Sequence, residues 1–186
     1  MKDFFSENKG IILKLILQQF GAAFFGCSLI LAAASVPGDM RLKMELFASI
    51  FSTVLYMFLL YNFMWEKGGQ DRIKIDGGRA ERKPLKGLWI ALCANIPNLL
   101  IAAAVIIAHP FKYTHTWAGT ADAVGRLIAL PWESMYSGFV ANFAPNNPLI
   151  YLLMVFPALV VCEGAYLIGL SNKKIFGFLG KKKKEK

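Results

Sequence analysis

Four blocks of apolar residues dominate the chain, separated by stretches that carry charge, glycine or proline. The first covers residues 11–35 (IILKLILQQFGAAFFGCSLILAAAS) and ends at Val36-Pro37-Gly38-Asp39, a turn signal. The second covers residues 42–65 and stops where charge and glycine arrive together, at Glu66-Lys67-Gly68-Gly69. The third opens after Pro84-Leu85-Lys86-Gly87, covers residues 88–109 and halts at Pro110. The fourth, residues 149–170, is bracketed by Asn146-Asn147-Pro148 and Ser171-Asn172-Lys173-Lys174. Each block is close to the roughly 20 residues that carry a helix across about 30 Å of hydrocarbon. The pattern predicts an all-α membrane protein: one integral domain over residues 1–186, a four-transmembrane-helix bundle with both termini on the same side.

The connections differ in character. Residues 66–87 form a charged loop, in which Arg72-Ile73-Lys74-Ile75 alternates and Asp76-Gly77-Gly78-Arg79 turns, a pattern that suits a small β-hairpin. Residues 110–148 are too many for a plain connection and should hold structure of their own. Within them, Val124, Leu127, Ile128, Met135 and Phe139 approximate a helical stripe, while Asp122, Arg126, Pro131 and Glu133 argue against a crossing. An interfacial or re-entrant helical segment is expected there.

Composition agrees with this class. The chain is 56% hydrophobic and 18% charged, with a mean hydropathy of +0.46, too apolar for a soluble domain of 186 residues. Charge then adds orientation, because lysine and arginine near span ends are held in the cytoplasm. Of 21 basic residues, two lie in the first ten positions, seven in the 66–87 loop and seven in the tail, 171–186; only Arg41, Lys43, Lys112 and Arg126 fall on the opposite side. Both termini are therefore expected in the cytoplasm, in the plasma membrane of a prokaryote. Trp65 and Trp89 at one end of the spans, and Tyr113, Trp117 and Tyr151 at the other, suit aromatic belts. The small residues of ILAAAS resemble a signal-peptidase site, but the apolar stretch before them exceeds the usual 7–15 residues, and an uncleaved span is expected.

Glu163 stands out as an acid inside the fourth block. Counted along the helices from the cytoplasmic ends, Glu163, Gln18 and Asn95 lie at nearly one depth, roughly 10 Å in. Lys14 and Gln18 share a helix face, as do Asn95 and Asn98. A lone charge in lipid costs about 2.5–3.5 kcal/mol on insertion scales, so a Glu163–Lys14 pair with Gln18, Asn95 and Asn98 as hydrogen-bond partners is expected. Pro97 and Pro157 each remove a backbone donor and should break or bend their helices near this layer.

The basic loop residues Arg72, Lys74, Arg79, Arg82 and Lys83 suggest docking to anionic lipid headgroups or to a partner, each worth about 1 kcal/mol near an anionic leaflet. The KKKKEK tail reads as a topology anchor rather than a nucleic-acid site. No phosphate-cradling glycine motif occurs, and no nucleophile stands with a base, so neither an enzyme nor a cofactor is indicated. Cys27, Cys93 and Cys162 fall within spans without metal or redox spacing, and His109 and His115 lack a carboxylate cluster. Two functions remain. One is an accessory or assembly subunit, with a membrane-protein partner or a second copy of the chain meeting the polar layer. The other is an oligomeric channel or small transporter that uses the layer around Glu163.

Overall fold

The computed structural model describes residues 2–38, 40–83 and 85–171; the lysine-rich tail beyond Ser171 lies outside the described residues. Among them, every regular element is helical. Two long helices come first, α1 (Lys2–Ala34) and α2 (Met40–Asp76). A broken pair follows, α3 (Lys86–Ala94) and α4 (Ile96–Ala108), then α5 (Thr116–Trp132), the short α6 (Ser137–Phe143) and α7 (Ile150–Leu170). Three helices, α1, α2 and α7, are long and apolar enough to cross a bilayer, and α3–α4 makes a fourth candidate if the bent pair is one span.

The charged stretch after Trp65 is not a hairpin loop. Helix α2 continues through it to Asp76, adding three turns. Two features explain why. Lys67–Asp71 and Arg72–Asp76 are ion pairs at helical i,i+4 spacing, with N···O distances of 2.9 and 3.2 Å. Gly68, which reads as a breaker, is a site of close approach: a Cβ there would run into the backbone of Tyr166, Gly169 and Leu170 on α7, and one on Gly169 would run into that of Trp65 and Gly68. The packing gained along α7 outweighs the roughly 1 kcal/mol that a helical glycine costs.

Helices α1 and α3–α4 start at the same end of the bundle, and α2 and α7 finish there. Glu7, Asp71, Lys86 and Tyr166 are gathered at that end. The core between the helices holds Ile12 and Leu15 of α1, Tyr56, Leu60 and Met64 of α2, and Tyr166 of α7.

Helix α3 ends at Asn95, and α4 leaves at a bend of 60°. Pro97 occupies the first turn of α4, where a missing N–H is harmless and the fixed φ suits a helix start. Pro157 behaves differently: it produces no break, and α7 runs through it unbroken. It is the eighth residue of the helix and is exposed, as is Leu153, the one residue whose carbonyl loses its donor.

Residues 116–143 form a helical hairpin that enters the bundle. Helix α5 runs antiparallel to α4, with Gly119 against the Lys112 carbonyl, Gly125 against Val105 and Trp132 at Asn98. The chain then reverses at Ser134–Tyr136, and α6 climbs back to the start of α2, where the Asn142 amide donates to the Leu42 carbonyl at 3.1 Å. The tip is wedged between α1 and α2. Ser134 donates its hydroxyl to the Ala23 carbonyl, Thr53 donates to that of Met135, and the Gly138 N–H donates to Ser49 Oγ. Gly26 permits this approach, since a Cβ would lie 2.7 Å from the Met135 backbone.

Candidate functional site

Polar groups occupy three levels of the bundle. At the shared end of the four long elements, Asp71 is 4% exposed and Lys86 is 8% exposed. Asp71 receives Lys67 Nζ on one oxygen at 2.9 Å, and Lys86 Nζ and the Tyr166 hydroxyl on the other at 2.9 and 3.1 Å. Lys86 also reaches Glu7 at 3.2 Å. One network thus ties α1, α2, α3 and α7, with both oxygens of the buried acid satisfied, as burial of a charge requires.

Next to it, Glu163 is held otherwise than the sequence suggests. Its Oε2 accepts the Leu88 N–H, in the first turn of α3, at 2.7 Å. An acid at a helix N-terminus is favoured both by the free amide and by the macrodipole. Lys14 does not pair with it. Helix α1 turns Ile12, Leu15 and Gln19 inward, which leaves Lys14 exposed, its Nζ 6.0 Å from the centroid of the Phe63 ring. Counting along a helix fixes height, and this pairing failed on direction. Gln18 is off the same face; its half-buried side chain has an Oε1 with no hydrogen-bond partner.

The middle level is built on Asn98 rather than on Glu163. Its Oδ1 accepts from Gln19 Nε2 and from Trp132 Nε1, both at 2.5 Å, and its amide donates to Asn95 Oδ1 at 2.9 Å. Asn95 in turn donates to the Ala91 carbonyl, closing the end of α3. The break between α3 and α4, the inner face of α1 and the lower end of α5 therefore meet at one side chain. Sequence reasoning found Asn95 and Asn98 and missed Gln19 and Trp132. The signal for Gln19 was its place in the Ile12-Leu15-Gln19-Ala22 stripe.

The third level is a cavity of about 350 Å³ between α2, α5, α6 and α7. Its walls are largely apolar, formed by residues such as Ile30, Leu130, Val140 and Met154. Its polar lining is Glu133, Glu45, Arg41, Ser137 and Tyr151. Glu133 is 4% exposed, and neither of its carboxyl oxygens has a hydrogen-bond partner. Burial pushes this carboxyl up to about 8. Glu45 is already engaged, with Arg41 Nε 2.8 Å from its Oε1. Tyr151, expected in an outer aromatic belt, is buried against this cavity instead. Tyr113 and Trp117 are exposed.

Above the cavity, Asp122 pairs with Arg126 at 3.0 Å, and His109 Nδ1 lies 3.4 Å from its other oxygen. Burial alone would raise this carboxyl; hydrogen bonds and charge from Arg126 and His109 outweigh that and hold it below the usual range. Of the basic residues expected to dock lipid, Arg72 and Lys74 sit on the last turns of α2, and Arg79, Arg82 and Lys83 follow in the exposed segment before α3. Among the described residues, no group of three or more histidine, cysteine or acidic side chains is arranged to hold a metal ion.

Comparison of the chain with family models, with curated proteins and with solved structures finds no match.

Proposed function

We propose that the protein is a multi-pass integral membrane protein that crosses the bilayer four times, keeps both ends in the cytoplasm, and works as a small transporter or channel. The observation that carries the reading is the junction at Asn98, where a broken helix, a long helix and the foot of a helical hairpin share hydrogen bonds. Irregular backbone at membrane depth survives only where it is buried in protein or lines a cavity, and transport proteins build their sites from such interruptions. Ala23 and Gly26, which touch the hairpin tip, are 12 and 15 residues beyond Ile11, or roughly 18 and 22 Å along the helix. Under four crossings the hairpin is re-entrant from the outer side and its tip stops close to mid-depth, in the outer half.

The accessory-subunit reading, in which the polar layer is glue within the bundle or toward a partner, comes second; Glu163, the contact it offered to a partner, is used within the chain to cap α3. The sixteen basic residues of the N-terminal segment, the 66–87 region and the tail favour the cytoplasmic orientation, and Arg72, Lys74, Arg79, Arg82 and Lys83 then face anionic headgroups.

Two measurements test the proposal. With Cys27, Cys93 and Cys162 replaced, a cysteine introduced by Ala80→Cys should react with an impermeant maleimide only from the cytoplasmic side; reaction from outside overturns the topology. Proteoliposomes holding a trapped pH dye should show protein-dependent proton movement when a pH gradient is imposed, reduced at least tenfold by Glu133→Gln. Tight vesicles with wild-type protein, joined by a stoichiometric partner on purification from native membranes, would restore the accessory reading.

A further inference from the structure

The cavity beside Glu133 has the features of a ligand site whose chemistry is readable from its lining. Its volume, about 350 Å³, lies within the range of small-molecule pockets. The apolar walls call for an organic body. The polar side calls for charge, because a carboxyl group buried this far is costly unless something donates to it, and nothing in the chain donates to Glu133.

The charges facing it can be counted element by element. From α2 come Arg41 and Glu45, which pair with each other. From α5 come Asp122 and Arg126, also paired, with Arg126 stacked 6.0 Å from the centroid of the Tyr151 ring of α7. The neighbouring turn supplies Tyr136, while the cavity residues of α6 and α1 are untitratable. Every cation near the cavity is therefore spent on another acid, and Glu133 is left over. A hard divalent metal would want six or more oxygen ligands, against apolar walls that supply few.

We propose that this cavity binds a small organic ammonium ion, a primary amine with a short apolar body, whose N–H groups bond to Glu133, and that the ligand exchanges with a proton there. The balance is simple: the neutral acid and the ammonium ion give a carboxylate–ammonium pair, and the carboxyl proton passes to solvent beside the exposed Arg41. No electron moves and no covalent bond to carbon changes. Cation and proton then exclude each other at one group, which deepens the transport reading above, on which the exchange step rests.

The test uses the purified full chain in detergent with benzylammonium as probe and benzyl alcohol as its neutral counterpart, binding being measured by equilibrium dialysis. Saturable binding of benzylammonium is expected, tightening close to tenfold for each pH unit between about 6 and 7.5, with one proton released per ligand in weak buffer. Benzyl alcohol should bind at least tenfold more weakly at pH 8. Glu133→Gln should lose the binding. Ala129→Leu, which fills the cavity and leaves Glu133 in place, should lose it too, so the proposal stays falsifiable if the first variant fails to fold. Binding that is equal for amine and alcohol, independent of pH, or retained when the cavity is filled overturns the proposal. Amine binding without flux would remove the transport reading and keep the site; flux without amine binding would do the reverse.

Discussion

Trp132 donates its indole N–H to Asn98 Oδ1 at 2.5 Å, on the same oxygen that receives Gln19. The foot of the hairpin is thereby fastened to the break in α3–α4, and the two irregularities of the fold stabilise each other. Removing the shared acceptor should cost more than removing either donor. Asn98→Ala strands Gln19, Trp132 and Asn95 in a buried layer, at about 1–3 kcal/mol for each polar group left unmade. Gln19→Leu and Trp132→Phe each remove one donor and leave Asn98 with another. Thermal unfolding in detergent should therefore rank Asn98→Ala well below both, and equal melting temperatures would dissolve the idea of a hub.

Glu163→Ala should lower stability by about 0.5–2 kcal/mol, the scale of a lost helix cap, because Leu88 keeps an N–H with no acceptor. Glu163→Gln should lose less, since its amide oxygen still accepts. Lys14→Met should be near neutral, as Lys14 is exposed and away from Glu163. An effect of Lys14→Met as large as that of Glu163→Ala, read by the same unfolding measurement, would reinstate a Lys14–Glu163 pair.

The block lengths and Pro97 made the long helices and the broken pair α3–α4 legible, because both act through the local backbone. The rest depended on neighbours. Gly68-Gly69 looks like a stop until Gly169 stands opposite, and only then does its missing side chain become a packing surface. The alternation of Arg72-Ile73-Lys74-Ile75 suggested a strand, while the competing i,i+4 pairs of Lys67–Asp71 and Arg72–Asp76 belong to the helix that formed. Glu133 was visible only as a charge that spoiled a span. That it would face a cavity without a partner follows from the hairpin's reversal just after it, which no spacing along the chain encodes.

Gly26 controls how deeply the hairpin seats. A larger side chain would meet the backbone of Met135, which cannot rotate away as a flexible side-chain end does. In a background free of native cysteines, Ala23→Cys with Ser134→Cys should form a disulfide on mild oxidation. Adding Gly26→Leu should cut that yield several-fold while the protein still purifies folded. An unchanged yield would mean that the tip tolerates displacement and is not held by this contact.

Breaking the Lys86–Asp71 contact should weaken this end of the bundle without stranding the acid. Lys86→Met removes one of two cations from Asp71 while Lys67 still reaches its other oxygen at 2.9 Å, so it should cost about 1–3 kcal/mol, below the roughly 3–5 kcal/mol of a buried charge that loses its sole partner. Adding Lys67→Met leaves Asp71 with the Tyr166 hydroxyl alone and should bring the larger loss. A double variant no less stable than Lys86→Met would mean the network stabilises through packing rather than charge.

Glu133 should make stability fall as pH rises. Its ordinary value is 4.5, and burial carries it to about 8 in the folded chain. Between these values the folded protein holds a proton that the unfolded chain has released, so folding is favoured by acid. The contribution is fully present below about 4.5 and is lost as pH rises through about 8. Arg41, Glu45, Asp122 and Arg126 keep their own pairings across this window and do not reverse the sign. The melting temperature of the wild type should accordingly drop relative to Glu133→Gln between pH 5 and 9, and benzylammonium should recover the loss at the upper end by supplying the donor that the carboxylate lacks. Parallel profiles for the two proteins would mean that water already solvates Glu133, leaving neither a raised carboxyl nor a reason for the cavity to attract a cation.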